Sequence, residues 1–219
     1  MAVTDTGRHA ELMDDVYRWQ RHVYDLSRKY YLLGRDRMID RLSAGDGTTV
    51  LELGCGTGRN LALAARRYPQ ARFFGLDISA QMLATAEAAL ARTAIGSKVR
   101  LAQADATDFD PRTLFGRERF DRVYISYSLS MIPGWQACVQ QALGVMAPGG
   151  SLHIVDFGSQ ERLPGWFKAA LRAWLAKFHV APRDDLRDLL ESEAQKAGAS
   201  LEFESLLRGY AVHAIMRTN

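Results

Sequence analysis

The residues best suited to chemistry form a glycine loop, which opens into a helix and is followed at a distance by a carboxylate. Gly54, Gly56 and Gly58 come directly after a short apolar run. Glycine lets the backbone turn sharply and approach a ligand closely, and a helix N-terminus offers unpaired N–H donors. Asp77 ends the next apolar run, where a carboxylate can accept both hydroxyls of a ribose. A glycine loop alone is equally consistent with a plain tight turn, but the combination predicts a nucleoside site.

The spacing of the glycines separates two classes of nucleoside site. A dinucleotide fingerprint, G-x-G-x-x-G, requires its third glycine at position 59, where this chain has the long side chain of Arg59. The G-x-G-x-G spacing after Leu-Glu-Leu, together with an antiparallel strand pair predicted at the C-terminal end, resembles the class I S-adenosylmethionine-dependent methyltransferases. The resemblance covers residues 48–217.

This resemblance implies S-adenosylmethionine as methyl donor and S-adenosylhomocysteine as product. The residues that it places around the donor are Gly54, Cys55, Gly56, Gly58, Asp77, Ile78, Met82, Asp105, Ala106 and Ser126. Within this set Asp77 would bind the ribose, and Asp105 with Ala106 would meet the amino edge of the adenine. Ser126 and Tyr127, at the end of the fourth strand, would face the transferred methyl group.

Three other polar residues invite a catalytic interpretation. Glu52 precedes the loop inside a strand, and we expect it to accept hydrogen bonds behind the site, with a catalytic acid as the alternative. Cys55 has no histidine that can be placed beside it from sequence, so a nucleophilic role is disfavoured. His153 lies within a strand, where a structural role is favoured over that of a base.

Strand and helix patterns alternate from residue 48 onward. Strands are predicted at residues 48–53, 72–76, 98–102, 120–125, 151–156, 201–206 and 210–217. Helices are predicted at residues 59–68, 80–93 with Ser79 as N-cap, 135–146, 164–180 and 183–197. This order predicts an α/β fold with a doubly wound, mostly parallel sheet of seven strands and ligands at the carboxyl ends of the strands. The short final connection makes the last strand antiparallel.

Composition and order together predict one domain over residues 1–219. Of the 219 residues 47% are hydrophobic and 24% charged, which excludes collagen-like, disordered and disulfide-scaffold proteins. The net charge of +3 does not indicate a general nucleic-acid surface. Within the domain we expect a helical cap at 1–45, a donor-binding core at 46–159, an amphipathic lid or membrane-contact insertion at 160–183, and a C-terminal helix with the antiparallel strands at 184–219.

The cysteines and the hydropathy predict a cytoplasmic protein. Cys55 and Cys138 lie far apart without metal-ligand spacing, which favours a reducing compartment and gives no metal site. No run approaches the roughly 18 apolar residues of a membrane-spanning helix, and residues 1–11 lack an apolar signal core. Association with the inner face of the membrane is compatible with both observations.

The N-terminal region carries tyrosines at a helical spacing. Tyr17, Tyr24 and Tyr31 are seven residues apart, so on a continuous helix they fall within about 40° of one another. They are consistent with core packing, but aromatic faces also attract sulfonium and quaternary ammonium cations. We expect Tyr24, Tyr31 and Tyr127 to line an amine pocket. Arg35 would hold a substrate carboxylate or pair with a neighbouring aspartate.

The helix predicted at 164–180 is amphipathic and basic. Its apolar positions run Trp166, Phe167, Ala170, Leu171, Trp174, Leu175 and Phe178. Residues 160–183 carry a net charge of +4, more than the +3 of the whole chain. Tryptophans with basic residues are typical of interfacial membrane helices, whereas the alternative is a helix packed on the sheet. We expect a lid or membrane contact in which Trp166 and Trp174 meet the substrate.

Taken nearly end to end, the chain resembles the bacterial diacylglyceryl-homoserine N-methyltransferases of betaine-lipid synthesis. The segments that carry the resemblance are YDLSRKYYLLGRDRMI, LELGCGTGRNLAL, SYSLSMIP, HIVDFG and LPGWFKAALRAWLAKFHVAPR. It implies three methyl transfers to the amine of a diacylglycerol ether lipid, giving diacylglyceryl-trimethylhomoserine, and coupling to the enzyme that makes the substrate.

Other functions share the same sequence features. Methyl transfer to a phosphatidylethanolamine amine or to a quinone ring carbon would use the same donor site. A non-catalytic module that binds the donor and docks on membranes is a second alternative, although the intact glycine loop and Asp77 disfavour it. A dehydrogenase is disfavoured by Arg59.

Overall fold

Residues 32–218 are the part of the chain that the computed structural model describes, and they form seven strands and seven α-helices. The strands are β1 (Thr49–Leu53), β2 (Arg72–Asp77), β3 (Val99–Gln103), β4 (Phe120–Ser126), β5 (Met146–Phe157), β6 (Ser200–Leu206) and β7 (Ala211–Arg217). The helices are α1 (Arg35–Asp40), α2 (Arg59–Arg67), α3 (Ala80–Ala91), α4 (Pro111–Phe115), α5 (Trp135–Gly144), α6 (Gly165–Ala176) and α7 (Leu186–Ala197). Helices and strands alternate from α1 to β5, and α6, α7, β6 and β7 follow in that order.

The strands form one sheet in the order β3-β2-β1-β4-β5-β7-β6. All neighbouring pairs are parallel except those made by β7, which runs antiparallel to both β5 and β6. The predicted fold class is therefore confirmed. Because six strands point the same way, their carboxyl ends lie along a single edge, called the carboxyl edge below.

Local sequence explains why the central elements form. Every residue of β1 is buried, as expected for an apolar strand covered on both faces of a parallel sheet. Helix α3 begins at the predicted cap, where the Ser79 hydroxyl accepts a hydrogen bond from the Met82 N–H at 3.3 Å. The short α4 was not predicted; it begins with Pro111, and Asp110 caps it by accepting from the Arg112 N–H at 2.9 Å.

Apolar layers cover both faces of the sheet, as a doubly wound fold requires. One layer joins the sheet to α4, α5 and α7 through residues such as Phe115, Trp135 and Leu186. The other joins it to α1, α2, α3 and α6 through residues such as Met38 and Leu175. Helix α6 therefore contributes a buried side chain to the core although the sheet has other helices.

Some boundaries of helices and strands differ from the predicted ones, and two of these lie at glycine or proline residues. Gly34 adopts a left-handed φ of 86° and directly precedes α1, so a helix begins at Arg35 inside the predicted helical cap. Strand β5 includes the Pro148-Gly149-Gly150 turn and so begins earlier than the predicted residue 151. Helix α6 is shorter than the predicted 164–180. Among residues 32–218 no helix has the length and apolar character needed to cross a bilayer.

Candidate active site

The glycine loop follows β1 at the carboxyl edge and turns through three left-handed residues. Gly54, Gly56 and Gly58 have φ angles of 70°, 53° and 71°. The loop is held against the neighbouring strand by the Cys55 N–H, which donates to the Leu76 carbonyl at 2.9 Å. Gly58 immediately precedes the nine-residue helix α2, so the unpaired N–H groups of the first turn of this helix lie at the carboxyl edge.

The space beside two of the glycines is occupied by protein. A Cβ at Gly54 would lie 2.6 Å from the Cβ of Ser128, and one at Gly58 would lie 3.0 Å from that of Ala86. The sequence interpretation assigned the glycines to close approach of a ligand. At these two positions the structure gives a different reason, because the missing side chain lets the loop after β4 and helix α3 pack against the glycine loop.

Asp77 fixes the middle of the loop. Its Oδ2 accepts a hydrogen bond from the Gly56 N–H at 2.7 Å, and its Oδ1 accepts one from the Ser79 N–H at 3.0 Å. These two hydrogen bonds orient the carboxylate at the carboxyl edge, where the ribose of a donor is expected to bind. Asp77 therefore lies against the glycine loop, and its contact with a ribose stays a prediction.

The residues assigned to the adenine lie along the same edge. Asp77 lies opposite Gln103 in the β2–β3 register. Ile78 and Asp105, which follow these residues, therefore lie just beyond the ends of two neighbouring strands. The Asp105 Oδ1 accepts from the Thr107 N–H at 2.8 Å and from its hydroxyl at 2.7 Å, which orients the carboxylate. Ala106 and Met82 are both buried. Their contacts with a donor stay predictions.

Ser126 and Tyr127 lie at the end of β4, at the carboxyl edge. The Ser126 hydroxyl is buried and has no hydrogen-bond partner among residues 32–218. Tyr127 adopts a left-handed φ of 56°, and its hydroxyl donates to the Leu33 carbonyl. Burial, followed by the charge of Asp156, raises the Tyr127 pKa well above its ordinary value. The phenol therefore stays protonated and is unsuited to act as a base.

An aromatic cluster lies at the carboxyl edge, where β4 and β5 end. The rings of Tyr127 and Phe157 meet edge to face with centroids 4.9 Å apart, and Tyr210 meets Phe157 at 5.9 Å. These three residues come from the carboxyl ends of β4 and β5 and from the turn before β7. Sequence analysis identified Tyr127 alone, because the other two become its neighbours only through the order of the sheet.

Glu52 is engaged behind the loop. Its Oε1 accepts from the Asn60 side-chain amide at 2.8 Å, and its Oε2 accepts from the Tyr124 hydroxyl at 2.9 Å. The carboxylate is fully buried. This geometry supports the interpretation as a hydrogen-bond acceptor and not as a catalytic acid.

Cys55 and His153 are unsuited to acid–base or nucleophilic chemistry. Burial, followed by the nearby carboxylates of Asp77 and Glu52, raises the pKa of the Cys55 thiol well above its ordinary value, so the thiolate is disfavoured. Burial lowers the His153 pKa to about 3, and Nε2 of this residue lies 2.8 Å from the Ser151 hydroxyl inside the sheet. Within residues 32–218 no group of three or more His, Cys, Asp or Glu side chains is placed to hold a metal ion.

Sequence analysis missed Asp156 and Arg183. Asp156 is the penultimate residue of β5, and its carboxylate accepts from the Ser130 N–H at 3.1 Å and the Phe157 N–H at 2.7 Å. Burial raises its pKa to about 6. Arg183 donates to the carbonyls of Leu129 and Ile132 at 3.0 and 2.7 Å and so holds the loop after β4. An aspartate near the carboxyl end of a parallel strand was the available signal for the first.

The residues that the sequence analysis assigned to substrate binding do not all lie at one place in the structure. Tyr24 and Tyr31 lie outside the described residues. Arg35 is buried and forms an ion pair with Asp36 at 2.7 Å, the alternative that the sequence left open. Trp174 packs on the apolar layer and meets Phe178 at 4.9 Å, whereas Trp166 is 76% exposed. The inner side of α6 packs on the core while Trp166 is exposed, so both alternatives apply to different sides of the helix, and contact of Trp166 and Trp174 with substrate stays a prediction.

The fold is that of the class I S-adenosylmethionine-dependent methyltransferases. Three features fit the donor: the left-handed glycine loop, the oriented carboxylate of Asp77 and the unpartnered hydroxyl of Ser126. Residues 50–150 match the family model described as "Methyltransferase domain".

Proteins of similar sequence or fold include methyltransferases of several kinds. The O-methyltransferase cnsE of Penicillium expansum is 31% identical over 71% of this chain and 55% of its own. The demethylmenaquinone methyltransferase of Desulfitobacterium hafniense is 29% identical over 60% of this chain and 51% of its own. The chain thus spans about half the length of these relatives. An O-methyltransferase family protein from Burkholderia thailandensis shares the fold, with a TM-score of 0.71, 18% identity, and coverage of 100% of this chain and 64% of that one.

Proposed function

We propose that this chain is an N-methyltransferase that converts diacylglyceryl-homoserine to diacylglyceryl-N,N,N-trimethylhomoserine in three successive transfers. The observation that carries the proposal is the aromatic cluster of Tyr127, Phe157 and Tyr210 at the carboxyl edge, in which Tyr127 and Phe157 are buried and Tyr210 is partly exposed. An amine that is methylated three times ends as a quaternary ammonium, and aromatic faces attract such cations at about 0.5 to 2 kcal/mol each. S-adenosylmethionine, when bound, supplies the methyl group on a sulfonium sulfur.

The assignment of a lipid acceptor rests on the sequence. The resemblance to diacylglyceryl-homoserine N-methyltransferases extends over the N-terminal region and the insertion, both of which lie outside the matched domain at residues 50–150. The exposed position of Trp166 near the carboxyl edge is compatible with a lipid surface.

The chain's own residues position and desolvate the amine. An alkyl ammonium with a pKa near 10.4 is protonated at neutral pH, and an apolar pocket lowers that pKa because burial disfavours the charged form. The protonated phenol of Tyr127 and the low pKa of His153 make both residues poor proton acceptors. We therefore assign catalysis chiefly to positioning, which can contribute roughly 7 to 11 kcal/mol.

A second candidate is methyl transfer to a quinone ring carbon. The observation in its favour is the demethylmenaquinone methyltransferase among the relatives, at 29% identity. Such an acceptor is also a membrane lipid, and it would bind at the same carboxyl edge. Methylation of a quinone carbon gives no cationic product, so the aromatic cluster would have no cation to bind.

Labelled donor distinguishes these acceptors. The purified chain should be incubated with S-adenosylmethionine carrying a labelled methyl group and with detergent-dispersed diacylglyceryl-homoserine, phosphatidylethanolamine or a demethylquinone. We expect label in the first lipid as mono-, di- and trimethylated products. Label in only the other two would contradict the proposed acceptor, and label in none, with intact binding of S-adenosylhomocysteine, would contradict methyl transfer to lipids.

A further inference from the structure

Three large apolar side chains are exposed in the described part of the chain, one in a turn at the carboxyl edge and two in the helix whose leading segment starts from that edge. Trp166 is 76% exposed, Phe167 38% and Leu207 58%. The first two begin helix α6, and the third lies in the turn between β6 and β7. Exposed apolar side chains confined to one place mark an interaction surface more often than scattered ones do.

The two parts of this surface are joined by hydrogen bonds. The Gln160 N–H donates to the Gly209 carbonyl, and the Gly158 N–H donates to the Tyr210 carbonyl, both at 2.9 Å. The segment that leads into α6 is therefore attached to the 207–209 turn. In the sheet register Leu206 lies opposite Ala211, which lies opposite Phe157, so the turn stands beside the aromatic cluster.

The backbone presents the turn outward at an energetic cost. Leu207 and Arg208 have left-handed φ angles of 49° and 62°, which L-residues with a side chain rarely adopt. Such strain persists where surrounding structure maintains it, and it is concentrated at functional positions. The strained pair consists of one exposed apolar and one exposed basic residue.

Basic residues surround the apolar ones. The Arg162 side chain is 65% exposed, Arg208 is exposed and Lys168 is half-buried. The acidic residue between them, Glu161, accepts hydrogen bonds from Ser159 and Ser205 and lies 3.9 Å from Arg162. Arg172 does not belong to this surface, because it pairs with Asp184 at 2.7 Å.

We propose that Trp166, Phe167 and Leu207, with Arg162, Lys168 and Arg208, form a docking surface for an anionic lipid bilayer. Aromatic and aliphatic side chains enter the interface between headgroups and acyl chains, while the arginines and the lysine attract anionic headgroups. Bilayer contact at this surface brings the aromatic cluster to the lipid. The inference rests on the proposed lipid acceptor, and it adds the route by which that acceptor reaches the site.

Vesicle binding without any acceptor lipid tests the surface separately from the reaction. The full chain should be sedimented with vesicles of phosphatidylcholine containing about one third phosphatidylglycerol, which sets the anionic surface charge, at low and high salt. We expect binding that weakens with salt. The double variant Leu207→Ser with Arg208→Gly should bind roughly tenfold more weakly, and Trp166→Ser should weaken binding as well. Glycine tolerates the φ of 62° at position 208, so the double variant should fold.

A matched control lies at the opposite edge of the sheet. Arg92 is exposed at the end of α3, and Arg92→Gly should bind vesicles as the parent does. S-adenosylhomocysteine affinity should be unchanged in Leu207→Ser with Arg208→Gly, which checks that the donor site is intact. A parent that methylates detergent-dispersed lipid but does not bind anionic vesicles would overturn the docking surface alone. A parent that binds vesicles through these residues but methylates no lipid would overturn the proposed function alone. Equal binding by parent and double variant would also overturn the surface.

Discussion

Gly54 and Ser128 meet so closely that a side chain at the first position would overlap the second. A Cβ on Gly54 would lie 2.6 Å from the Ser128 Cβ, and the Ser128 hydroxyl donates to the Leu53 carbonyl at 3.0 Å. This contact joins the loop that would bind the donor to the loop after β4, which carries Tyr127. The positions of the two loops are therefore interdependent.

Gly54→Ala is expected to destabilise the protein and to weaken donor binding. Two effects add: the left-handed φ of 70°, at about 1 to 2 kcal/mol, and the overlap with Ser128, at about 1 to 3 kcal/mol. Gly47→Ala is the control, because its φ of 74° is similar and no atom lies within 4 Å of a Cβ there. Urea unfolding and S-adenosylhomocysteine titration measure both effects. Adding Ser128→Gly to Gly54→Ala should restore part of the loss, and equal destabilisation at both glycines would contradict the contact.

Asp77→Ala is expected to weaken S-adenosylhomocysteine binding by about 100-fold. The substitution removes the acceptor of the Gly56 N–H at 2.7 Å and the carboxylate proposed for the ribose, and hydrogen bonds to a charged group contribute roughly 1.5 to 3 kcal/mol each. Asp77→Asn keeps one oxygen and should lose less. Calorimetry gives the affinities, with Asp46→Ala, an exposed residue before β1, as control. Unchanged affinity in Asp77→Ala would exclude the ribose role.

The sheet and the donor loop were predictable because their signals are local. Apolar runs, the glycine spacing and the Ser79 cap are read over a few residues, and each appears in the structure. The contact between Gly54 and Ser128 was not predictable, since it depends on β1 lying beside β4. For α6 the periodicity left two alternatives open, because it gives an apolar stripe but not whether the core or the solvent contacts each part of it.

Tyr127 is expected to act through its ring. Tyr127→Phe removes the hydrogen bond to the Leu33 carbonyl but keeps the contact with Phe157, so lipid methylation should fall less than about fivefold. Tyr127→Leu also removes the aromatic face and should lose tenfold or more. Rates and their pH profiles should be measured on detergent-dispersed diacylglyceryl-homoserine. A pH profile that changes in Tyr127→Phe would indicate an acid–base role and contradict the assignment.

Glu52→Gln tests whether this buried carboxylate is structural. An amide accepts through one oxygen only, so either the Asn60 or the Tyr124 hydrogen bond is lost, at about 1 to 3 kcal/mol of unfolding free energy. The pH dependence of methylation should stay that of the parent. Loss of an ionisation from that pH profile would instead favour the catalytic-acid alternative.

His213→Leu is expected to make the protein more resistant to acid. Burial lowers the His213 pKa to about 4, and the ring nitrogens have no hydrogen-bond partner among residues 32–218. An unfolded histidine has a pKa near 6.5, so the unfolded chain binds the proton first and the free energy of unfolding falls as the pH drops from about 6.5 to 4. At pH 5 the free energy of unfolding of the parent should be about 2 kcal/mol lower than at neutral pH because of this residue.

The buried carboxyl of Asp156, with its pKa raised to about 6, instead increases the free energy of unfolding as the pH falls, and it does so equally in parent and variant. Urea unfolding between pH 7.5 and 5 should therefore show a shallower loss in His213→Leu than in the parent or in His179→Leu, an exposed control. Parallel curves for all three proteins would contradict a buried neutral His213.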